Sequence, residues 1–420
     1  MADVLNVPTT EDFTAFNALL AKQAEHFAPM IAWAGKECAE SEGLDGLLSL
    51  LQPHVHEPAD FFAEKLKQCQ SGMGTIQDKI TTVDARFGDQ DRGRAADMAK
   101  LFPDDVSNIP NISAIPGASS LGNFNDEGVT LKTPDKPDSI NKGLLGHLVE
   151  YRSPLDAKGI GGKWSAVMGG NHLWIADKAY KMVTGDSLID KLFKPLAGDW
   201  DRLMYLHDAY DTLGDACYTV AATLRKGSWK LGGEWKGDTG TAFDAHMFRW
   251  TSGIGGIGDG AKVVAKAYST GYETIINLVR IVVSAIDRAI STAIKALAEE
   301  ALKMIAGDAA IMVVGLGPED PLADIAAAAW TAWRMVKIYE KVKLVASIVT
   351  TIYQTYQLIE TEASKIWDEA KKSIEGLTTD ISIGSVVQDV EQRGFAFEKN
   401  AAWTPLLGVG RMTMLPSATG

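Results

Sequence analysis

The chain has 420 residues, of which 46% are hydrophobic and 23% are charged, a composition typical of a folded protein. Its net charge is -13 and the sequence shows no basic stripe, which argues against nucleic acid as the main partner. The opening residues lack a basic segment followed by an apolar run, so we expect no cleavable signal peptide and any export by another route.

Two apolar ladders near the N-terminus predict a first helical hairpin over residues 11–102. Apolar side chains recur there at alternating steps of three and four residues, which places each set on one face of a helix. The first set is Phe13, Phe16, Leu20, Phe27, Ile31, Ala34 and Cys38, and the second is Phe62, Leu66, Cys69, Met73, Ile76, Ile80, Val83 and Phe87. We expect the second helix to begin at about Pro58 and to run to Leu101.

The segment from residue 103 to about residue 163 loses this periodicity and collects prolines among Asn, Ser, Gly and Asp residues. Such a composition predicts a linker or an irregular surface layer. Short helices are expected at residues 142–149, 173–183 and 187–196, and the last of them leads into the central region.

Two further ladders, on either side of a tight segment at residues 232–237, predict a central helical hairpin. The first ladder is Leu203, Leu206, Tyr210, Leu213, Cys217, Val220 and Leu224, and the second is Phe243, Met247, Trp250, Ile254, Ile257, Ala261, Val264 and Tyr268. Each helix offers the other an apolar seam, and the expected arrangement is antiparallel. The N-terminal hairpin could pack on this one and complete an intramolecular four-helix bundle.

The C-terminal part of the chain continues in helical periodicity. The apolar pattern that begins at residue 275 meets no obvious stop before Gly307, so we expect the second central helix to be unusually long. A break at residues 315–321 separates it from a final long helix at about residues 322–374. The tail at residues 376–420 has no period, and we expect it to be loosely ordered.

No stretch of the sequence reaches the ~18 to 20 apolar residues that a membrane-spanning helix needs. The longest charge-free stretches are residues 344–359, which are diluted by Thr and Gln, and residues 309–318, which are interrupted by glycines. Burial against other helices is the favoured interpretation. The alternative is conditional insertion, in which residues 275–359 enter a bilayer after release from their packed state.

Gly253, Gly255 and Gly258 match the Gly-x-Gly-x-x-Gly spacing of dinucleotide-binding loops. That motif requires a strand before it, whereas these glycines lie inside a helical ladder. Close approach of two helices, or a local helix distortion, explains them better, and we predict no cofactor.

His54, His56 and Glu57 could offer metal ligands from an extended segment between two prolines. No second cluster of His or Cys lies nearby in the sequence, so a polar surface loop is the favoured interpretation and no metal site is predicted. No activated nucleophile with a paired base is recognisable, and we predict a protein without catalytic residues.

The three cysteines, Cys38, Cys69 and Cys217, are too few for a disulfide framework. Cys38 and Cys69 lie on the two N-terminal ladders and could face each other, either as a disulfide or as buried thiols. Cys217 occupies a seam position of the central hairpin, which favours a core role.

Trp235 lies outside the ladders, in the turn of the central hairpin between Gly233 and Gly237. A large apolar ring is costly to expose in a turn, and glycines permit backbone geometry that a side chain would block. The ring is therefore expected either to close the end of its own bundle or to fit a pocket on a partner.

Two long amphipathic helices joined by the turn Trp235-Lys236-Gly237 resemble the WXG100 superfamily, the helical-hairpin proteins of type VII (ESX) secretion systems. The likeness covers residues 196–290 and points to larger actinobacterial members, whose hairpin is embedded in a longer chain. It implies export without a signal peptide, in a folded helical form that is often a four-helix dimer with a like partner.

The resemblance also implies an export signal of the form Tyr-x-x-x-Asp/Glu, placed just after a helical hairpin. Only Tyr356 with Glu360 fits this pattern among the residues that follow the central hairpin. The pair lies far downstream, in an apolar helix where Tyr356 also has the spacing of a core residue. A partner protein is the alternative source of the signal.

These patterns together predict an all-α fold, an elongated helical bundle built from two antiparallel hairpins and long C-terminal helices. The expected regions are an N-terminal hairpin (1–102), a Pro/Gly-rich linker with short helices (103–195), a WXG100-like hairpin with an extended second helix (196–306), a long C-terminal helix (307–375) and a loosely ordered tail (376–420).

The predicted function is non-enzymatic. The chain is expected to be a type VII secretion substrate or partner that acts through protein–protein contacts, with Trp235, Gly237, Tyr356 and Glu360 as motif residues. Its partner would be a protein of the secretion apparatus, a WXG100-like protein or a second copy, and it would be secreted or envelope-associated after synthesis in the cytoplasm. The alternatives are a membrane-active or pore-forming effector, with membrane contact through residues 275–359, and the delivery region of a polymorphic toxin.

Overall fold

The computed structural model describes residues 7–88, 112–114, 116–135, 172–193, 199–300 and 321–376. Within these ranges the chain is all-α and has no strand, as the sequence predicts. Its helices are α1 (Thr10–Lys36), α2 (Gln52–Gly88), α3 (Ala118–Leu121), α4 (His172–Thr184), α5 (Leu188–Phe193), α6 (Arg202–Gly232), α7 (Asp238–Ala289) and α8 (Pro321–Gly376). Two 3-10 helices, Gly46–Leu51 and Ile112–Ala114, and a π-helical turn, Ile290–Ile294, complete the elements of the described residues.

The first hairpin consists of α1 and α2, which run antiparallel. Near the start of α1, Asn17 Nδ2 donates a hydrogen bond to Thr81 Oγ1 over 3.1 Å, and Gln77 Nε2 donates to the Asn17 carbonyl. Two turns further along α1, the Ala24 carbonyl accepts a hydrogen bond from Gln70 Nε2. Residue numbers on α2 therefore fall as those on α1 rise, which is the mark of antiparallel helices. This is the hairpin that the two N-terminal ladders predict.

The second hairpin consists of α6 and α7 and is also antiparallel. Arg225 Nη2, near the end of α6, donates to Thr251 Oγ1 over 3.0 Å. Closer to the start of α6, His207 Nδ1 lies 2.8 Å from the Ala265 carbonyl oxygen. The turn between these helices is therefore at residues 233–237, where the sequence predicts it.

The two hairpins pack against each other and form one four-helix bundle, made of α1, α2, α6 and α7 up to Tyr268. Trp33 Nε1 on α1 donates to the Ala209 carbonyl on α6 over 2.9 Å, and Trp250 Nε1 on α7 lies 3.2 Å from Met73 Sδ on α2. Every ladder position of the four helices is buried or half-buried, and all of them belong to one continuous core. The apolar faces of the four helices thus pack together into a single core.

The predicted start of α2 at about Pro58 and the predicted extended segment at His54 and His56 are wrong, because α2 begins at Gln52. Pro53 is compatible with this start, since a residue in the first helical turn needs no partner for its backbone N–H. Pro58 lies inside the helix, and the burial of Val55 favours helix over a surface loop at this point. The predicted end of α2 near residue 101 lies outside the described residues.

Residues 116–135, which we call the strap, form an irregular layer across α1 and α6. Asp126 accepts a hydrogen bond from Gln23 Nε2 over 2.6 Å and lies 3.0 Å from His26 Nε2 on α1. The neighbouring Glu127 forms an ion pair with Lys226 on α6. Of the two predicted alternatives for this part of the chain, a linker or a surface layer, these residues adopt the surface layer.

Beyond the bundle, α7 continues from residue 269 through the π-helical turn to residue 300 and packs along α8; we call these two segments the arm. The arm leaves the bundle at the end opposite the Trp235 turn, because Tyr272 Oη donates to Asp201 Oδ1 beside the start of α6. The side chains buried in the arm are Val282, Ala293, Ile294, Leu297, Ala298, Ile338, Val342, Val345, Ile352 and Tyr356. The unusually long helices that the sequence predicts are present.

Some predictions fall outside the described residues, namely the helix at residues 142–149, most of the break at 315–321 and the tail after Gly376. The helices predicted at 173–183 and 187–196 correspond to α4 and to the shorter α5. Among the described residues, none of the helices has the length and apolarity that crossing a bilayer requires.

Candidate functional site

The Trp-x-Gly turn joins α6 to α7 in five residues. The backbone N–H of Trp235 donates to the Gly232 carbonyl over 3.1 Å, which keeps the chain tightly wound after the helix ends. Gly237 has a φ of 109°, a conformation that L side chains rarely adopt, and its carbonyl accepts the first hydrogen bond of α7 from Thr241. The glycine of the motif is therefore needed for the chain to reverse direction.

The indole ring of Trp235 is 1% exposed and lies among three phenylalanine rings. Phe13, at the start of α1, contacts it edge-on with ring centroids 5.2 Å apart, and Phe87, at the end of α2, does so at 6.0 Å. Phe243 of α7 lies 5.3 Å away. Of the two predicted alternatives for this ring, the geometry is that of internal closure: the open end of the first hairpin covers the turn of the second.

A buried carboxyl group lies directly behind the turn. Asp244 is 1% exposed, and its Oδ2 accepts a hydrogen bond from the Ile112 backbone N–H over 3.1 Å. Burial raises the pKa of the Asp244 carboxyl well above its ordinary value, and the bond from Ile112 opposes this only in part. A Cβ at Gly232 would lie 1.9 Å from Asp244 Oδ1, so any larger residue at the end of α6 would have to displace the Asp244 carboxyl group.

The strap closes against the same end of α6 through two further glycines. A Cβ at Gly122 would lie 2.3 Å from the Lys226 carbonyl oxygen, and a Cβ at Gly233 would lie 2.4 Å from the Ser119 backbone nitrogen. Backbone therefore packs on backbone where α3 meets α6. Together with the buried Trp235 ring, these contacts close this end of the bundle. The N-terminal hairpin, the strap and the central hairpin all contribute to the closed end.

Sequence reasoning did not identify the acidic residues that hold the strap and residues 112–114 against the bundle. Asp126 and Glu127 bind α1 and α6 from the strap, and an acidic residue in an aperiodic segment has no pattern that marks it as paired. Asp244, which binds Ile112, lies on α7 but outside the apolar ladder. Asp244 directly follows the ladder residue Phe243, which is the only positional signal available.

Tyr356 and Glu360, the residues of the predicted export signal, lie on α8 in the arm and not near Trp235. The Tyr356 ring is buried, and its hydroxyl donates to the Leu192 carbonyl over 2.6 Å. Burial also raises the pKa of this hydroxyl. The side chain of Glu360 is outside the described part of the structure. In this conformation Tyr356 is a packing residue, and a partner could contact its ring only if α8 separated from α5.

Gly253, Gly255 and Gly258 lie inside α7 and not in a loop, so the backbone groups that bind a pyrophosphate are engaged in the helix. A Cβ at Gly258 would lie 2.6 Å from Tyr218 Cε1 and 3.0 Å from the Gly214 carbonyl oxygen. Gly258 thus permits the close approach of α6 and α7.

The remaining candidate residues are two histidines of α2 and three cysteines. Within the described residues, no group of three or more His, Cys, Asp or Glu side chains is placed to hold a metal ion, and this includes His54 and His56 on α2. Cys38, Cys69 and Cys217 are free, buried thiols, and burial raises the pKa of each. They fill the core as small apolar side chains.

Comparison with known proteins gives no match: no family model, no curated protein and no solved structure is significantly similar to the chain.

Proposed function

We propose that the chain is a non-enzymatic protein of a type VII (ESX) secretion system, a larger actinobacterial member of the WXG100 superfamily that acts through contacts of its helical bundle. The observation that carries the proposal is the Trp235 turn. A tryptophan two residues before a positive-φ glycine joins two antiparallel helices, and the ring is buried by a second helical hairpin. The resemblance implies Trp235 and Gly237 at the turn of a helical hairpin that often forms a four-helix dimer with a like partner.

The proposed role of the N-terminal hairpin follows from the fact that this hairpin supplies two of the aromatic rings around Trp235. Phe13 and Phe87 belong to the same chain, and α1 and α2 pack along α6 and α7. The N-terminal hairpin would therefore replace the separate partner subunit that the resemblance implies. The protein would travel as a self-partnered bundle, and its free surfaces, not the Trp235 turn, would contact other components.

Export from a host with a functional type VII system tests the proposal. The full chain would be produced in matched strains with and without an active secretion ATPase, and its amount in the culture filtrate would be measured against a cytoplasmic lysis marker. A WXG100 substrate and a signal-peptide-dependent protein serve as the positive and negative controls. We expect the chain to follow the WXG100 substrate. An extracellular amount that does not depend on the ATPase would contradict the proposal.

The source of the export signal can be tested in the same strains. Glu360→Gln changes the acidic position of the signal, and Glu340→Gln is the matched control because it neutralises an exposed glutamate on the same helix. A selective loss of export with Glu360→Gln would assign the signal to this chain. Equal export of both variants, with ATPase dependence retained, would assign the signal to a partner protein.

A further inference from the structure

The strap lies on the bundle in the manner of a bound peptide. Its residues 122–135 form no helix, strand or turn, and within the described residues none of their backbone groups is hydrogen-bonded to another backbone group. Only Pro134 among them is fully buried. A segment with few buried side chains and no backbone pairing can detach from the rest of the fold at a low free-energy cost.

A groove between α1 and α6 receives this segment. Four residues of α1 lie within about 80° of each other around the helix, at 100° per residue, namely Phe16, Leu19, Gln23 and His26. On α6, Lys226 lies on the other side of the strap. The two helices meet closely at Gly227, where a Cβ would lie 2.5 Å from Leu19 Cδ2. We call the four α1 residues and Lys226 the strap groove.

The strap groove contacts the strap through specific side-chain pairs. The ring centroids of Phe124 and Phe16 are 6.2 Å apart. Two residues further along the strap, Asp126 Oδ1 accepts a hydrogen bond from Gln23 Nε2 over 2.6 Å and lies 3.0 Å from His26 Nε2. An aromatic side chain and, two positions later, a carboxylate are therefore recognised together.

Charge complementarity continues at the next position of the strap. Glu127 forms an ion pair with Lys226, whose side chain is 15% exposed. The strap as a whole contains three acidic residues and one lysine, whereas the ionisable residues of the strap groove are a lysine and a histidine. Charge-assisted contacts of this kind favour an acidic segment over a neutral or basic one.

Gln23 shows that the strap does not satisfy the groove completely. The side chain is fully buried, and its Nε2 donates to Asp126 and to the Glu127 carbonyl. Its Oε1 is also buried and has no hydrogen-bond partner. A buried acceptor without a donor costs free energy. A ligand that supplies a donor at this point would therefore bind more tightly than the strap does.

We propose that the strap groove binds an extended acidic segment of a partner protein, and that the strap occupies the site until this segment displaces it. The segment would carry an aromatic residue followed two positions later by Asp-Glu, the order of Phe124, Asp126 and Glu127 in the strap. The strap competes at the high effective concentration that its attachment provides. A partner can overcome this competition by donating a hydrogen bond to Gln23 Oε1.

The strap of a second copy of the chain is a poorer occupant. It offers the groove the same contacts as the attached strap, without the effective concentration of an intramolecular segment. It also leaves Gln23 Oε1 without a donor, as the attached strap does. This proposal does not rest on the secretion proposal.

Binding of a fluorescein-labelled peptide with the sequence of residues 118–131 tests the groove. The full chain would be compared with the same chain carrying Phe124→Ala and Asp126→Ala, which we call the strap-weakened chain. We expect the peptide to bind the strap-weakened chain at least about tenfold more tightly, because competition by the attached strap falls. Adding Lys226→Gln to that chain should weaken binding about fivefold.

Peptide variants provide the matched control. Asp126→Ala in the peptide removes the carboxylate that meets Gln23 and His26, and should weaken binding about tenfold. Asn125→Ala changes the neighbouring exposed side chain and should leave binding unchanged. Circular dichroism and urea unfolding check that the strap-weakened chain is folded.

Displacement of the strap in the original chain is a measurement that needs no protein variant. An excess of the peptide should speed proteolytic cleavage of the chain within residues 116–135, as identified by mass spectrometry, and the Asp126→Ala peptide should not. A strap that is only a structural layer would be cleaved at the same rate with and without the peptide.

The sequence preference can be tested with a phage-displayed library of random peptides, selected on the strap-weakened chain and counter-selected on its Lys226→Gln variant. Enriched peptides should carry an aromatic residue followed two positions later by an acidic pair. The tightest of them should displace the strap of the original chain at a lower concentration than the peptide of residues 118–131.

Four outcomes would overturn the proposal. They are a peptide that does not bind the strap-weakened chain, equal binding of the Asp126→Ala and Asn125→Ala peptides, strap cleavage that excess peptide leaves unchanged, and a library that enriches no acidic pattern. A dimer of the original chain that excess peptide dissociates would also overturn it, because the groove would then belong to the strap of a second copy.

Discussion

The four-helix bundle and the arm are built from the same kind of apolar ladder but reach different degrees of closure. In the bundle, two hairpins cover each other, and even the turn at Trp235 is covered by Phe13 and Phe87. In the arm, α8 packs on α7, α4, α5 and the 3-10 helix Gly46–Leu51, yet the Tyr353 side chain is 57% exposed. An apolar ladder predicts that one face of a helix is buried. Whether the opposite face is buried as well depends on how many helices surround it.

The difference has a consequence for stability. The Trp235 turn, which the sequence marks as the motif, is sequestered and contributes to stability. The exposed side chains of α8, such as Tyr353 and Leu358, contribute little to the core. We therefore expect substitutions in the bundle to change the free energy of unfolding much more than substitutions at exposed positions of α8.

The largest effect is expected for Trp235→Ala. Removal of a buried tryptophan leaves a cavity and lowers the free energy of unfolding by about 3–5 kcal/mol. Tyr353→Ala, on the exposed side of the arm, is the matched control and should change it by less than about 0.5 kcal/mol. Urea unfolding followed by circular dichroism measures both. Equal losses in the two variants would remove the distinction between bundle and arm.

Two glycines of α2, only two residues apart, give the next effect with opposite signs. A Cβ at Gly72 would lie 2.1 Å from Trp250 Cη2, so Gly72→Ala has to displace a buried ring and should cost about 1–3 kcal/mol. A Cβ at Gly74 meets nothing within 4 Å, and Gly74→Ala should stabilise the helix by about 0.5–1 kcal/mol. The same unfolding assay applies. A stabilising Gly72→Ala would show that α2 does not pack on α7 as described.

The pH dependence of stability should reveal the buried carboxyl group behind the Trp235 turn. The pKa of Asp244 is raised by burial, so the folded state retains this proton to a higher pH than the unfolded chain does. Above the unfolded pKa of about 4, stability is therefore lost as the pH rises. Asp244→Asn keeps an acceptor for the Ile112 N–H but cannot ionise. The variant should gain stability relative to the original chain from pH 4 upward, and a constant difference across this range would contradict the assignment.

The smallest effect in this series is expected for the strap. Asp126→Ala removes the acceptor of the Gln23 hydrogen bond and should lower the free energy of unfolding by about 1 kcal/mol. Asp135→Ala, at an exposed position of the same segment, should have no measurable effect. Limited proteolysis followed by mass spectrometry should show faster cleavage within residues 116–135 in the first variant only. Equal cleavage rates would indicate that the strap does not depend on the hydrogen bond between Asp126 and Gln23.

Periodicity was sufficient to predict the all-α class and the two antiparallel hairpins, because a three-four ladder such as Phe243, Met247 and Trp250 reports directly on a buried helix face. It could not locate the start of α2, since prolines in a first turn and prolines in a loop look alike in sequence. It also could not decide between a linker and a surface layer for the strap, because that choice depends on tertiary contacts such as Asp126 with Gln23.

The Trp235 site was only partly predictable. The glycines around it indicated a tight turn, and Gly237 does adopt a positive φ. The choice between internal closure and a partner pocket depended on the distance between Phe13, Phe87 and Trp235, which are far apart in sequence. Asp244 was not identifiable, because its burial depends on Gly232 and Ile112 meeting it in space.

A double-mutant cycle between Phe13 and Trp235 tests most directly the claim that two hairpins of one chain close a single bundle. Phe13→Leu, Trp235→Phe and the double variant would be unfolded in urea at several protein concentrations. We predict a coupling free energy of about 0.5–3 kcal/mol that does not change with protein concentration, as expected for residues in contact within one chain. Additive effects, or a coupling that appears only at high protein concentration, would contradict the account.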